Sequence, residues 1–497
     1  MPDARAQSKH RFHSRRHRRK GCGHKPVRAF ETSMMKIVVT LLIALMAAAS
    51  LVAQTMPVIS QSRPLAFTHV TVIDVTGEKP KPDMTVLIRG NRIEAMGPTA
   101  TTRLPKGARV VDATGRFMLP GLWDMHMHLS LVTELAIPLL IANGVTGVRD
   151  MGGDLDRIAQ WRREIASAKM LGPRIVMAGP IVDGPRTEEG QFRLTVTSPA
   201  DGRQAVVSLK RRGVDFIKVY HFLARESYFA VADEAKKQGL TFAGHIPNGV
   251  SAAEASDAGQ SSIEHVVILI QAYIALADKR GRTTKELTEE ALAAYNGDEG
   301  RLIFQRFVKN GTWHVPTMVV ARSFLLRPEL AARPDPRRNY VAALAKRHWE
   351  KNNPVPRNTS AEEMAERRLA FQKVIELVGT MRRAGVAMMT GTDPPTRDVF
   401  PGFSVHDELA LFVQAGMTPL EALRTATYNP AKYLGLLDSL GTVERGKIAD
   451  LLLLEADPLE NISNTQRISA VVVNGKYLPK KRLQKMLADV EAVAGKQ

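Results

Sequence analysis

Between residues 65 and 119 apolar and polar positions alternate with a period of two. Val70, Val72 and Val75, then Val86 and Ile88, are β-branched, and Gly90-Asn91 separates two such runs as a hairpin turn would. Val110-Val111 and Phe117-Met118-Leu119 add short strands. The signature returns near the other end, in Ala449-Asp450-Leu451-Leu452-Leu453-Leu454 and Ile468–Val473, with Asn474-Gly475 as its turn. Each piece alone is too small for a good core, and two separate appendages would leave edges unpaired. The pattern therefore predicts one composite β-sandwich built from residues 65–119 and 441–480.

From 120 to 440 the pattern changes to strands alternating with helices. Strand-like runs are expected around Asp124 and at 145–149, 174–178, 215–220, 241–245, 262–265, 314–319 and 386–390. Ser251-x-x-Glu254, Thr283-x-x-Glu286 and Ser360-x-x-Glu363 read as helix-opening capping boxes, and Thr418-Pro419-Leu420-Glu421 adds proline at the first helical position. Eight alternations over roughly 300 residues predict an α/β fold of the (β/α)8 TIM-barrel type. Helical insertions follow the sixth and seventh strands, at about 268–310 and 320–380.

At 497 residues the chain can bury a large core. Its net charge of +19 suggests nucleic acid until the charges are located. Residues 1–36 hold eleven Lys/Arg against two acids, so nine of the positive charges sit there. The remainder is spread thinly, with no basic stripe interleaved with aromatics, and no nucleic-acid partner is expected. After Lys36 comes an apolar run, 37–49, and then Ser50-Leu51-Val52-Ala53-Gln54. This is the layout of a signal peptide over 34–53, too short for a confident membrane span. We expect translation to begin at Met34 or Met35, residues 1–33 to be a basic arm arising as a start-site artefact, and the mature protein to be periplasmic or secreted with no stable membrane span. The only cysteine, Cys22, lies in that arm, so any metal must be held by nitrogen and oxygen.

Barrel chemistry belongs at the C-terminal ends of the strands. The first strand ends in His126 and His128, two apart and so on one face. The fourth carries Lys218 within an apolar run, followed by Tyr220. The fifth ends in His245, the sixth in Glu264-His265, and the eighth in Thr390-Gly391-Thr392-Asp393 before two prolines. Singly, each has a bland reading: a core histidine, a snorkelling lysine, a turn aspartate. Six such residues at the ends of five strands make coincidence a poor explanation. Tyr220 shares the face of Lys218 and is read equally as a rim-packing residue or a hydrogen-bond donor to an oxyanion or substrate carboxylate. His221 is expected to be peripheral, Arg149 to pair with Asp150, His314 to pack at the rim, and His406 to lie over the site or do nothing chemical. His69 and His348 are read as surface or packing residues.

These residues carry a resemblance. The order H-x-H, Lys, His, His, Asp along such a barrel resembles the amidohydrolase superfamily, and within it the imidazolonepropionase-related branch that includes Xaa-Pro-type metal-dependent dipeptidases. "PGLWDMHMHL", "GVTGVRDMGG", "IKVY", "AGHIP", "SSIEH", "MTGTDP" and the closing "GTVERGKIADLLLL" carry it over about residues 65–480. The resemblance assigns His126, His128 and Asp393 to one divalent metal and His245 and His265 to a second. It makes Lys218 the bridge, as a carbamate formed with CO2. An unmodified ammonium has no lone pair to coordinate with, which agrees with carboxylation. An unmodified Lys218 beside a single metal is the alternative. Zinc suits N/O ligands and hydrolysis, and manganese or cobalt would fit the same set.

The implied reaction is attack by a metal-bridged hydroxide on a carbonyl carbon, with Asp393 moving the proton to the leaving nitrogen. The expected enzyme is an amidohydrolase cleaving an amide or peptide C–N bond in a small molecule, a dipeptidase or amidase first. Hydrolysis of cyclic amides, lactones or esters is the alternative, and a catalytically silent binding protein the third reading. The resemblance also implies a homo-oligomer. Arginines of the insertions (Arg280, Arg282, Arg327, Arg333, Arg337, Arg338) are read either as a cationic lid favouring a free carboxylate or as a solvated helix face.

Overall fold

In the computed structural model, residues 63–495 are described except 78, 187–191, 278–283, 353 and 357, and so are all side chains but those of 272–277, 284, 344, 348 and 352. The basic arm, the signal-like segment, Cys22, Arg280, Arg282, the Thr283 cap and the His348 side chain lie outside the described residues. No described helix is long and apolar enough to cross a membrane.

The two chain ends share one sheet. Its path runs Lys476–Pro479, Ile468–Val473, Leu451–Leu454, Phe117–Pro120, Leu65–Val72, Lys81–Arg89, Arg92–Pro98, with Arg109–Asp112 also paired to Leu65–Val72. The seam between the ends is antiparallel: Leu451 opposes Pro120 and Leu454 opposes Phe117. Leu65, Phe67, Ile88, Met118, Leu451 and Val472 close on a single apolar cluster from both sides of that seam. The two turns meet as well. Asn474 (φ 48°) and Gly475 (φ 79°) take the left-handed conformations that a tight hairpin requires. Asn91 Nδ2 donates to Asn474 Oδ1 at 3.0 Å.

Residues 120–440 are α/β. Leu122–Met127, Val145–Asp150 and Arg174–Met177 form one parallel sheet. Phe216–Val219, Thr241–Gly244, Ser262–Glu264 and Trp313–Val315 form another, extended by Ile181–Asp183 and Arg193–Thr195. Every residue of Leu122–Met127 and Val145–Asp150 is buried, as expected of parallel strands covered on both faces. Helices follow most strands, and three begin as the capping pattern predicts. Ser251 and Thr418 form reciprocal capping boxes with Glu254 and Glu421, and Ser360 accepts from the Glu363 amide.

Two expected strands are altered. The seventh stops at Val315, because Pro316 and left-handed Thr317 (φ 44°) turn the chain into the helix Met318–Leu325. The eighth is a single bridge from Met388 to His314. Its neighbours are held by isolated hydrogen bonds: Met389 N to His314 O (3.0 Å), Met125 N to Thr390 O (2.8 Å) and Asp393 N to His126 O (2.7 Å). On the other side, Asp215 N donates to Met177 O at 2.9 Å. The sheets are thus linked at both ends, an arrangement consistent with a TIM-barrel-like domain.

Gly391 sits in the tightest part of this link. A Cβ there would lie 2.5 Å from Val315 Cγ1 and 2.8 Å from His126 Cβ. Gly391→Ala is expected to destabilise the protein by ~1–3 kcal/mol through overpacking. Urea unfolding measures it; a change below about 0.5 kcal/mol would show that the link is slack.

Candidate metal centre

His126 is the fifth residue of its strand, and His128 lies one residue beyond the strand's end. An irregular register between Asp124 and Met127 lets both rings turn to the same space. Their Nε2 atoms lie 3.6 Å and 3.3 Å from Asp393 Oδ1, and His265 Nε2 lies 3.8 Å from Asp393 Oδ2. His126, His128 and Asp393 offer ligand atoms all within 4.8 Å of one another. The His265 ring centroid is 4.5 Å from that of His126 and 4.8 Å from that of His245. Five of the seven residues singled out from sequence are therefore gathered directly around one carboxylate or its neighbours. Lys218 and Tyr220 complete the wall at the fourth strand: Tyr220 stacks on His245 with centroids 4.0 Å apart, and Lys218 Nζ lies 5.8 Å from the Tyr220 ring centre.

The outer nitrogen of each histidine is occupied. Nδ1 of His126 meets Glu264 Oε2 (2.8 Å), that of His128 meets Gly152 O (2.7 Å), that of His245 meets His221 Nε2 (2.9 Å), and that of His265 meets Thr317 Oγ1 (2.7 Å). Such contacts fix ring orientation and leave Nε2 for a metal. His126 Nε2 and Lys218 Nζ are buried with no hydrogen-bond partner among the described residues. Burial without a partner is costly, so these orphaned atoms fit a ligand set whose occupant is a cation. His126, His128, His245, His265 and Asp393 are the residues that would hold it.

Electrostatics agree at three of the four histidines; burial would lower His128 too, but the hydrogen bond and charge of Asp393 hold it above its ordinary value. Burial, then the Lys218 charge, lowers His126 to about 4. Burial also takes His245 and His265 well below the usual histidine range. All three are neutral at pH 7, with the lone pair a metal needs. Burial pushes Asp393 up, but His126, His128 and His265 override it and hold the carboxyl below its ordinary value. Burial lowers Lys218 to about 8 against the pull of Glu264 and Asp393, leaving an appreciable neutral fraction. Left-handed φ values at His265 (61°) and Asp393 (61°) hold these two at conformations that L residues rarely adopt. Strain of ~1–3 kcal/mol each is typical of such functional positions.

A buried polar layer supports the ligands, and sequence reading missed most of it. Arg149 and Glu264 are both fully buried and paired at 2.8 Å. Arg149 also donates to Met125 O (2.7 Å), Ser262 Oγ (2.9 Å) and Tyr433 Oη (3.1 Å). Its ion partner is thus Glu264 and not Asp150, which instead accepts from Leu129 N and Gly152 N. Asp124 accepts from His126 N (3.1 Å) and Thr392 N (3.0 Å). His221 is not peripheral, since it anchors His245. His406 is buried with both nitrogens engaged, by Thr465 Oγ1 and Asn143 O, and does not reach the centre. His314 is fully buried rather than at a rim, and His69 is an exposed partner of Asp83. Two arginines of the second insertion are used internally: Arg337 pairs with Asp335 and Asp407, and Arg338 with Asp398. Arg333 is exposed.

Glu264→Gln would leave the Arg149 charge buried without its counter-ion. It is expected to cost ~3–5 kcal/mol in urea unfolding and to weaken zinc binding ~10–100-fold in a chelator competition. A variant that keeps wild-type stability and zinc affinity would remove this layer from the account.

The model of the amidohydrolase family matches residues 117–478. Ochratoxinase from Aspergillus niger is 25% identical over 417 residues, covering 71% of this chain and 73% of the relative. Among solved structures, bottromycin amidohydrolase superposes with a TM-score of 0.70 at 22% identity, over 86% of this chain and 90% of the other. An Xaa-Pro dipeptidase with methionine bound in its active site gives 0.62 at 20% identity, over 84% of this chain and all of the other (100%). With a family match that spans both parallel sheets and every candidate ligand, the chain belongs to the amidohydrolase family.

Proposed function

We propose that this protein is an exported, binuclear, metal-dependent hydrolase of an amide or peptide bond, a dipeptidase or amidase. Hydrolysis at carbon–nitrogen bonds follows from family membership; the rest is our reading. One observation carries it: His126, His128 and His265 surround Asp393, His245 packs beside His265, and His126 Nε2 and Lys218 Nζ are buried without a hydrogen-bond partner. We read the linked sheets as one closed (β/α)8 barrel whose strand ends supply these groups. The ligand sets are His126, His128 and Asp393 on one side and His245 and His265 on the other. The neutral amine of Lys218 would add CO2 and lose a proton, and the resulting carbamate would offer oxygen ligands alongside these histidines.

Two divalent ions, zinc in this reading, would supply a Lewis acid for the carbonyl oxygen and a water acidified toward neutral pH. The chain's own residues do the remaining work. Asp393, held anionic, accepts the proton of the attacking water and returns it to the leaving nitrogen. The C–N bond breaks, one water is consumed, and a carboxylate and an amine leave. Tyr220, packed on His245, hydrogen-bonds the developing oxyanion or a substrate carboxylate. Glu264 and His221 keep the imidazoles aimed. Export follows from the signal-like run at 34–53; N-terminal sequencing of the mature protein should begin near Gln54, and an intact Met1 contradicts it.

Asp393→Asn is expected to lower kcat by ~10³-fold or more on a panel of dipeptides, N-acyl amino acids and lactones, because proton transfer and a ligand are lost together. Removing metal with a chelator should abolish turnover, and zinc with bicarbonate should restore it. Near-normal activity in either case overturns the assignment.

A further inference from the structure

We propose that Glu408 is a positioning residue for His265: it caps the helix that Thr317 opens, and so leaves the Thr317 hydroxyl to hold the His265 imidazole. The inference rests on His265 being a metal ligand, as proposed above. Glu408 lies in the helix Phe403–Gln414 and is fully buried. Its two carboxyl oxygens accept from Met318 N and Val319 N, both at 2.8 Å. These are the first two amides of the helix Met318–Leu325, whose N-cap is Thr317. A threonine in that place ordinarily accepts from the second or third amide with its own hydroxyl. Thr317 makes no such bond, and its Oγ1 lies instead 2.7 Å from His265 Nδ1. With Nε2 left for a metal, Nδ1 carries the proton and donates to that hydroxyl. The third amide, of Val320, finds the Thr317 carbonyl at 2.9 Å. The helix start is thus satisfied without the hydroxyl, and Glu408 is what makes that possible.

The same turn moulds the rest of His265. Its backbone N donates to Val315 O at 2.7 Å, and Val266 N donates to Pro316 O at 2.9 Å. His265 (φ 61°) and Thr317 (φ 44°) are both left-handed. Residues other than glycine keep such conformations only where their surroundings over-determine them. Glu408 fixes the exit of this turn, and through the turn it acts on the ring. Its neighbour Asp407 holds Arg322 of the same helix at 2.7 Å, so the two helices are clasped at two points. Burial pushes the Glu408 carboxyl up to about 8; the two amides and Arg322 pull it down, and Asp124 adds to the rise. An apolar side chain would fill this space at less cost than a buried carboxyl. What Glu408 provides in return is two acceptors for two adjacent amides. Glutamine has one acceptor and one donor group, and would leave an amide facing a donor.

A double-mutant cycle on the zinc-loaded full chain tests the link, read as zinc affinity in a chelator competition. Thr317→Val removes the hydroxyl and should weaken zinc binding ~10–100-fold. Glu408→Gln should cost a comparable factor in the native background but less than about twofold in Thr317→Val, because both act on one ring. A purely structural role for Glu408 would cost the same in either background. Losses that multiply in the double variant therefore overturn the proposal, as does a Glu408→Gln chain within about twofold of the wild type. Glu408→Asp keeps the carboxyl but shortens its reach, and it runs the same cycle if the glutamine variant does not fold. Imidazole N–H proton NMR of the metal-free chain gives a second readout. The His265 Nδ1 proton, identified by its loss in His265→Asn, should exchange with water about tenfold faster or more in Glu408→Gln than in the wild type. The His128 Nδ1 proton, bonded to Gly152 O, should keep its rate. An unchanged His265 proton overturns the positioning role. A wild-type chain that binds no zinc yet shows this exchange pattern refutes the metal centre and leaves the positioning of the imidazole standing.

Discussion

The structure depends on a junction between residues far apart in sequence. Asp393 N donates to His126 O at 2.7 Å, and the buried Asp124 carboxylate receives the Thr392 amide at 3.0 Å. These bonds bring the start and the end of the α/β region together, and with them the ligand pair of the first strand and the carboxylate of the eighth segment. Without the junction, His126 and His128 are two histidines on a strand with nothing to face. The eighth segment forms only one bridge of its own, so Asp124 and the His126 carbonyl do for it what a ladder does for an ordinary strand. Asp124 serves the same end electrostatically. Burial raises it to about 7, and its hydrogen bonds from Thr392 and His126 pull the other way.

Beneath the candidate ligands lies a layer whose cost is large and whose purpose is orientation. Arg149 and Glu264 are both fully buried, and such pairs seldom stabilise a protein more than apolar residues of the same size would. What the pair provides is geometry. Glu264 takes the outer nitrogen of His126, and Arg149 keeps Glu264 ionised against burial. His221, Thr317 and the Gly152 carbonyl play the corresponding part for the other three imidazoles. The inner nitrogens can then converge without being able to turn away. That four rings are each held from behind is the strongest sign that the space between them serves a cation.

Sequence patterning made much of this legible, and the gaps have physical causes. The fully buried strands Leu122–Met127 and Val145–Asp150 were readable from their place in the strand–helix alternation, although Asp124, His126, Thr146, Arg149 and Asp150 interrupt their apolar character. The pairing of the two chain ends was readable as a need for edges to be covered. The seventh strand was drawn too long because Val319 continues an apolar run, while Pro316 and Thr317 have already turned the backbone. The eighth was drawn as a strand because Val386 to Met389 are apolar, although the segment bonds to two diverging neighbours in turn. An acid within an apolar strand, as Glu264 is beside His265, signals a buried counter-charge, and Arg149 and Lys218 are both strand cations that could supply it. The Arg149–Asp150 expectation followed sequence adjacency. Successive residues on a strand face opposite ways, and the contact between the two parallel sheets prevailed. The role of His221 had no sequence signal: only the fold brings it to His245.

We propose that one chain holds two metal ions with a modified Lys218 among their ligands. Plasma emission analysis of the purified protein, reconstituted with zinc in the presence and absence of bicarbonate, tests it most directly. The account predicts about two zinc ions per chain with bicarbonate and fewer without it. A stoichiometry below one under both conditions would contradict it and leave the ring of histidines without its cation.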